Sequence, residues 1–259
     1  MDLGLKGRVA VVCASSHGLG RACATELSRA GCTVVINGRS GEALHRAAEE
    51  IRLETGGQII PVTADISSRD GRDELLGAVP VVDILVNNNG GPPFRDFRQI
   101  DDDALMAGVL MNMATPIDLV QRVIDGMIDR EFGRIVNITS ASVKMPLPGL
   151  DLSSGARVGL TGFLAGVARS VAYANVTINF LLPGSFDTRR LQSGQEVVAA
   201  GLGVTREDIA ERDQRAIPAQ RFGRPAEFGA ACAFLCSAQA GFITGQSILM
   251  DGGAYPGIL

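Results

Sequence analysis

Short apolar runs rich in β-branched residues alternate with helical stretches along almost the whole chain, and no other feature constrains the fold as much. The runs at 8–13 (RVAVVC), 33–38, 58–65, 82–90, 133–140, 175–184 and 245–253 are predicted strands. Between them, helical patterns fall at 18–31, 42–57, 69–78, 102–130, 151–173 and 225–238. A strand that reads as one continuous apolar run is covered on both faces, and parallel neighbours require crossover helices. The succession therefore predicts an α/β fold with a doubly wound parallel sheet flanked by helices on both sides. No linker, repeat or break in composition divides it, so residues 1–259 are expected to form a single domain.

Composition narrows the function classes. The chain is 46% hydrophobic with no tryptophan, so aliphatic packing must hold it together. Its 32 glycines follow no period, which points to tight turns and close backbone approaches. A net charge of −4 without a basic run argues against nucleic acid or an anionic membrane as partner. With no run of 18 apolar residues and no signal-peptide core in MDLGLKGR, the expected location is the cytoplasm. The five cysteines form no CxxC pair. Cys232 and Cys236 are one helical turn apart, but His17 and His45 lie far off in sequence, so buried small hydrophobes are expected and no metal.

In such a sheet ligands bind beyond the carboxyl ends of the strands. Polar and glycine signals cluster there, at 13–20, 37–40, 65–66, 87–91, 139–142 and 183–188. The first, CASSHGLG, joins a predicted strand to a helix and offers Ala14, Ser15, Ser16, His17, Gly18, Leu19 and Gly20 to a pyrophosphate. Free helix-end amides, the dipole and the absence of Cβ atoms favour that anion. The competing reading is a plain tight turn with Ser15 or Ser16 capping the helix.

These motifs resemble the short-chain dehydrogenase/reductase family from about residue 4 to 253. The turn is similar to that family's TGxxxGxG, with Cys13 for Thr and Ala14 for the first Gly. Ala14 is expected to be tolerated if its φ is negative. The resemblance assigns Asp65 and Ile66 to the adenine end, and Asn88, Asn89 and Gly90 of NNNG to the family's NNAG. Pro183, Gly184, Phe186 and Thr188 of LPGSFDT match the segment lining the nicotinamide, and RFGRP and MDGG fit the closing segments. The implied function is an oxidoreductase of a small-molecule substrate, working as a homo-oligomer (tetramer or dimer) packed through the helices near 102–130 and 151–173. The excursion at 189–220 corresponds to a lid.

Gly38 stands at the end of the second strand, where a carboxylate would select NAD, and Arg39 follows it. A guanidinium pairs with a 2′-phosphate, and His17 can add a donor, so NADP(H) is expected over NAD(H).

For the reaction, the resemblance assigns Asn112 and Ser140 to the family's Asn and Ser. Where its YxxxK belongs stand Ser153 and Arg157. No neighbour repairs this, because the only tyrosines are Tyr173 and Tyr255 and the only lysines Lys6 and Lys144. A serine hydroxyl is a poor acid, and an arginine keeps the charge but does not relay a proton. Candidate substitutes are Lys144 as a desolvated acid, more simply expected to be a solvated loop lysine, and Asp151, more simply expected to cap its helix. A substrate that is already cationic needs no protein acid. Thr205 and Asp208 are spaced as a capping box. Arg189 and Arg190 are expected on a solvated face, with phosphate or anionic substrate as the alternative, and Phe94 and Phe97 of PPFRDF as pocket walls. Three readings follow: a reductase with altered proton transfer, a nucleotide-binding regulator, and a structural subunit beside an active paralogue.

Overall fold

In the computed structural model, described over residues 2–91 and 94–257, the strands are β1 Val9–Val12, β2 Thr33–Gly38, β3 Ile59–Thr63, β4 Ile84–Asn87, β5 Gly133–Ile138, β6 Val176–Pro183 and β7 Ser247–Met250. They form one sheet in the order β3-β2-β1-β4-β5-β6-β7, parallel at every pairing. The order runs outward from β1 to β3, then returns to β4 and on to β7. The direction of winding thus reverses between β1 and β4.

Alternation along each strand builds two cores. Ala10 and Val12 of β1 face a layer made by α1 (Gly18–Arg29), α2 (Gly41–Thr55) and α9 (Pro225–Cys236). Val11 and Cys13 face the opposite layer of α3 (Arg69–Gly77), α5 (Thr115–Asp129) and α6 (Asp151–Val171). Strands buried on both sides need apolar residues at every position, which explains the unbroken runs. The cysteines are all free and buried, and Cys23, Cys232 and Cys236 lie in the first core.

One expectation changes. The predicted helix at 102–130 is three pieces: α4 (Asp102–Val109), a π-helical turn (Leu110–Ala114) and α5. The periodicity of 3.6 cannot reveal a turn with one extra residue, and π-bulges occur frequently at functional sites. Asp102–Asp129 is also long and apolar enough by composition to cross a membrane, although no unbroken apolar run of that length exists. Its Leu119, Val120, Val123 and Met127 pack against the sheet. The 189–220 excursion is mostly helical, as α7 (Arg189–Leu202) and α8 (Arg206–Arg215), and the Thr205–Asp208 capping box is present.

Candidate active site

The predicted ligand residues converge along the carboxyl edge of β1, β4, β5 and β6. The β1–α1 turn is stitched to both neighbouring strands. Ser15 N–H donates to Asn37 O at 2.7 Å, the Ser15 hydroxyl donates to Val12 O at 2.7 Å, and Asn37 N–H donates to Ser15 Oγ at 2.9 Å. From β4, Asn88 Nδ2 donates to Ala14 O at 3.0 Å. Ser15 is therefore a buried fastener of the turn, and neither Ser15 nor Ser16 caps α1. His17 occupies the N-cap in extended conformation without a side-chain cap, so the first amides of α1 lack that partner.

Two glycines are obligatory here. Gly18 has φ +60°, and a Cβ on Gly20 would lie 2.6 Å from Ala14 O and 2.7 Å from Asn88 Nδ2. Ala14 itself has φ 45°. The condition under which the alanine was expected to be tolerated, a negative φ, is thus not met: it is held in the left-handed region where the family motif has glycine. Hydrogen bonds to Asn37 Oδ1 and Asn88 on both sides of its peptide fix that conformation.

At the adenine end, Arg39 is exposed just past β2. A Cβ on Gly38 would press on Ser16 Oγ at 3.3 Å, and that hydroxyl lies 3.3 Å from His17 Nε2. Ser16, His17 and Arg39 thus border the tip of β2. Asp65 accepts from the Ser67 N–H at 3.0 Å and its hydroxyl at 2.8 Å. These bonds, with Arg39 nearby, hold its carboxyl below the ordinary value. Ile66 is buried beside it.

At the reactive end, Ser140 leaves β5 and caps a short 3-10 turn by accepting from Ser142 N–H at 3.1 Å. Ser153 and Arg157 are both buried on α6 and in contact: Arg157 Nε donates to Ser153 Oγ at 3.1 Å. Arg157 Nη1 donates to Ile138 O at 2.9 Å and Nη2 to Asn89 O at 3.5 Å. Burial, then repulsion from Arg190, lowers its pKa to about 10. Asn112, at the centre of the π turn, donates to Gly108 O at 3.3 Å. Its Oδ1 and that of Asn87 are buried without a protein partner. Both residues line, with Asn88, Asn89 and Arg157, a cavity of about 20 Å³, space for a single water with several polar partners.

Some side chains lie elsewhere. Asn89 turns its amide to Met111 O of the π turn at 2.7 Å, so its side chain clamps the helix break. The Phe186 ring is buried in the core, edge-on to Phe228 at 5.2 Å. Asp151 is the first residue of α6 and does not cap it, because the N-cap is Leu150. Phe94 and Phe97 are exposed, Phe97 under the Arg98 guanidinium, while Pro92 and Pro93 lie outside the described residues. Thr188 caps α7 and approaches the phosphate turn, its methyl 3.8 Å from a Cβ built on Gly18. Gly184 is pressed against Asp251, where a Cβ would come within 2.7 Å of its side chain, and no bulkier residue fits. Arg189 and Arg190 are exposed, as expected of a solvated face, and the Arg190 guanidinium also reaches over Gly91, 2.7 Å from where a Cβ would stand.

The model of the short chain dehydrogenase family matches residues 8–197, which include the phosphate turn, Asn112, Ser140, Ser153 and Arg157. The chain belongs to that family. The chain is 33% identical to the 3-oxoacyl-(acyl-carrier-protein) reductase of Aquifex aeolicus, over 98% of its length and 100% of that protein. The L-sorbose reductase of Gluconobacter frateurii, solved with NADPH and L-sorbose, superposes with a TM-score of 0.95 at 25% identity, over 100% of both chains. YwfH, an NADPH-dependent reductase involved in bacilysin biosynthesis, gives 0.91 at 28% identity, over 98% of this chain and 100% of that one.

Proposed function

We propose that the chain is an NADP(H)-dependent reductase of a small carbonyl-type or imine-type substrate, in which Ser153 and Arg157 replace the family's tyrosine and lysine. The observation that carries this reading is the built contact between the two replacements, Arg157 Nε to Ser153 Oγ at 3.1 Å, tied into the sheet through Ile138 O. The glycine cradle at Gly18 and Gly20, the unobstructed start of α1 and the cations at the tip of β2 fit the cofactor. Arg39 and His17 would hold the 2′-phosphate, the 14–20 turn the pyrophosphate, and Arg157, Asn89 backbone and Thr188 the nicotinamide half. Bound NADPH supplies a hydride. Ser140 orients the substrate oxygen or nitrogen, while the buried Arg157 charge steadies negative charge developing there. Loss of the phenol removes an acid normally worth ~10²–10⁴ in rate, a fraction of the total enzymatic acceleration. The domain is one unit with α7 and α8 as its lid. It works in the cytoplasm as a homo-oligomer, and exposed Leu105, Met106, Val158 and Phe163 on α4 and α6 support that assembly.

Titration with NADPH and NADH tests the cofactor half: NADPH binds more tightly, and Arg39→Ala abolishes the preference. Equal affinity for both in the native protein rejects it. For the chemistry, Ser153→Tyr combined with Arg157→Lys raises ketone turnover by ~10²–10⁴. A regulatory role gains support from Arg157, whose three nitrogens are all engaged within the protein. NADPH oxidation that falls in Ser140→Ala excludes that second reading.

A further inference from the structure

We infer that the substrate is a small carboxylic acid, its anion against Arg95 and its apolar body, about the size of a six-carbon ring, between α4 and α6. This rests on the reductase reading and names its substrate class. Most arginines of the described residues are salt-bridged, including Arg21, Arg72, Arg122 and Arg221. Arg95, Arg157 and Arg190 have no carboxylate within salt-bridge distance among the described residues; Arg39, Arg69, Arg134 and Arg169 lack one too but lie elsewhere, whereas these three lie together beyond β4, with Arg190 over Gly91, Arg157 on Asn89 O and Arg95 on a cavity wall with Ser153. Arg157 is 7% exposed, and no carboxylate among the described residues offsets its charge. A buried cation without a counter-ion is costly, and an anionic ligand offsets that cost. The phosphates of the proposed cofactor lie toward β1 and β2, so Arg95 and Arg190 at the other end are left for the substrate.

A cavity of about 170 Å³ adjoins them. Ile100, Ala104, Gly108, Met111, Leu150 and Leu152 line its apolar part, with exposed Arg95 and buried Ser153 also on its wall. A dry apolar cavity of roughly 150 Å³ accepts benzene, which sets the size of the group. Ser153 accepts from Arg157, so the cavity opens on the reactive pair itself. An acid fits this shape and charge, and an uncharged sugar or a cation does not.

The test is calorimetry on the full chain saturated with NADP⁺, using cyclohexanecarboxylate, cyclohexanecarboxamide and acetate as probes, after an NADPH titration of the same protein. The ring acid is expected to bind at least about tenfold tighter than either comparison. Arg95→Gln removes its advantage over the amide, and Ala104→Leu its advantage over acetate, with NADPH affinity unchanged in both. Amide binding equal to that of the acid, or acid binding indifferent to both substitutions, overturns the inference. Intact NADPH binding without acid preference defeats this inference alone. Lost NADPH binding with the acid preference retained, scored on the protein without NADP⁺, defeats the reductase reading alone.

Discussion

Ala14 carries strain that no other residue of the phosphate turn shows. A non-glycine residue in the left-handed region pays about 1–2 kcal/mol, and φ at Ala14 is 45°. Ala14→Gly is expected to stabilise the fold by about 1 kcal/mol, seen as a rise of about 2–4 °C in thermal melting, and to tighten NADPH binding. An unchanged melting temperature would show that the Asn37 and Asn88 bonds already absorb the strain. Arg157 makes a second prediction at this scale. Its pKa is lowered to about 10, because burial and Arg190 disfavour its charge. The folded chain therefore releases this proton more readily than the unfolded one, and its share of stability grows as pH rises above about 10. A denaturant titration on either side of pH 10 checks it, with Arg157→Lys as the comparison.

At the scale of elements, the reactive groups depend on where helices break or begin. The π turn Leu110–Ala114 brings Asn112 to the cavity edge and leaves Met111 O for Asn89 to clamp. Asn89→Ala is expected to free that carbonyl and loosen the junction of α4 and α5, measured as faster amide exchange over 108–114. Helix α8 is held by its capping box, in which Thr205 and Asp208 exchange hydrogen bonds at 3.1 and 3.0 Å. Thr205→Ala should cost about 1 kcal/mol locally, visible as increased amide exchange in α8 with little change in global melting. Exchange unchanged in α8 would mean that packing through Ile209, which is buried, dominates its stability.

For the whole molecule, one fully buried cation joins the far end of the sheet. Arg134 of β5 donates to Ser237 O at 3.0 Å, Gly133 O at 2.8 Å, and Asn175 O and Oδ1 at 2.7 and 3.1 Å. It also stacks on Phe132 at 4.5 Å. Arg134→Ala leaves several carbonyls unsatisfied and a cavity at once, and about 3–5 kcal/mol of unfolding free energy should be lost in a denaturant titration. The cysteines offer a complementary readout of global opening. Burial pushes the Cys13 thiol up to about 12, and Cys232 and Cys236 are raised as well. Thiolates are the reactive form, so alkylating reagents should modify the native protein at its unfolding rate only.

The alternation of strand and helix and the turn glycines were legible because each follows from a local rule, periodicity or φ freedom, whereas Ser140, Ser153 and Arg157 were assigned only through the family resemblance. Gly18 and Gly20 could be named before any coordinates, since their roles depend on backbone alone. What local rules do not contain is direction in space. Phe186 and Asn89 lie on the expected segments but turn their side chains to the core and to the π turn. Arg190 reads as one more surface charge until α7 carries it over Gly91. Whether Ser153 and Arg157 form a pair, and whether any carboxylate answers Arg157, are decided by elements far apart in the chain that only the folded sheet brings together.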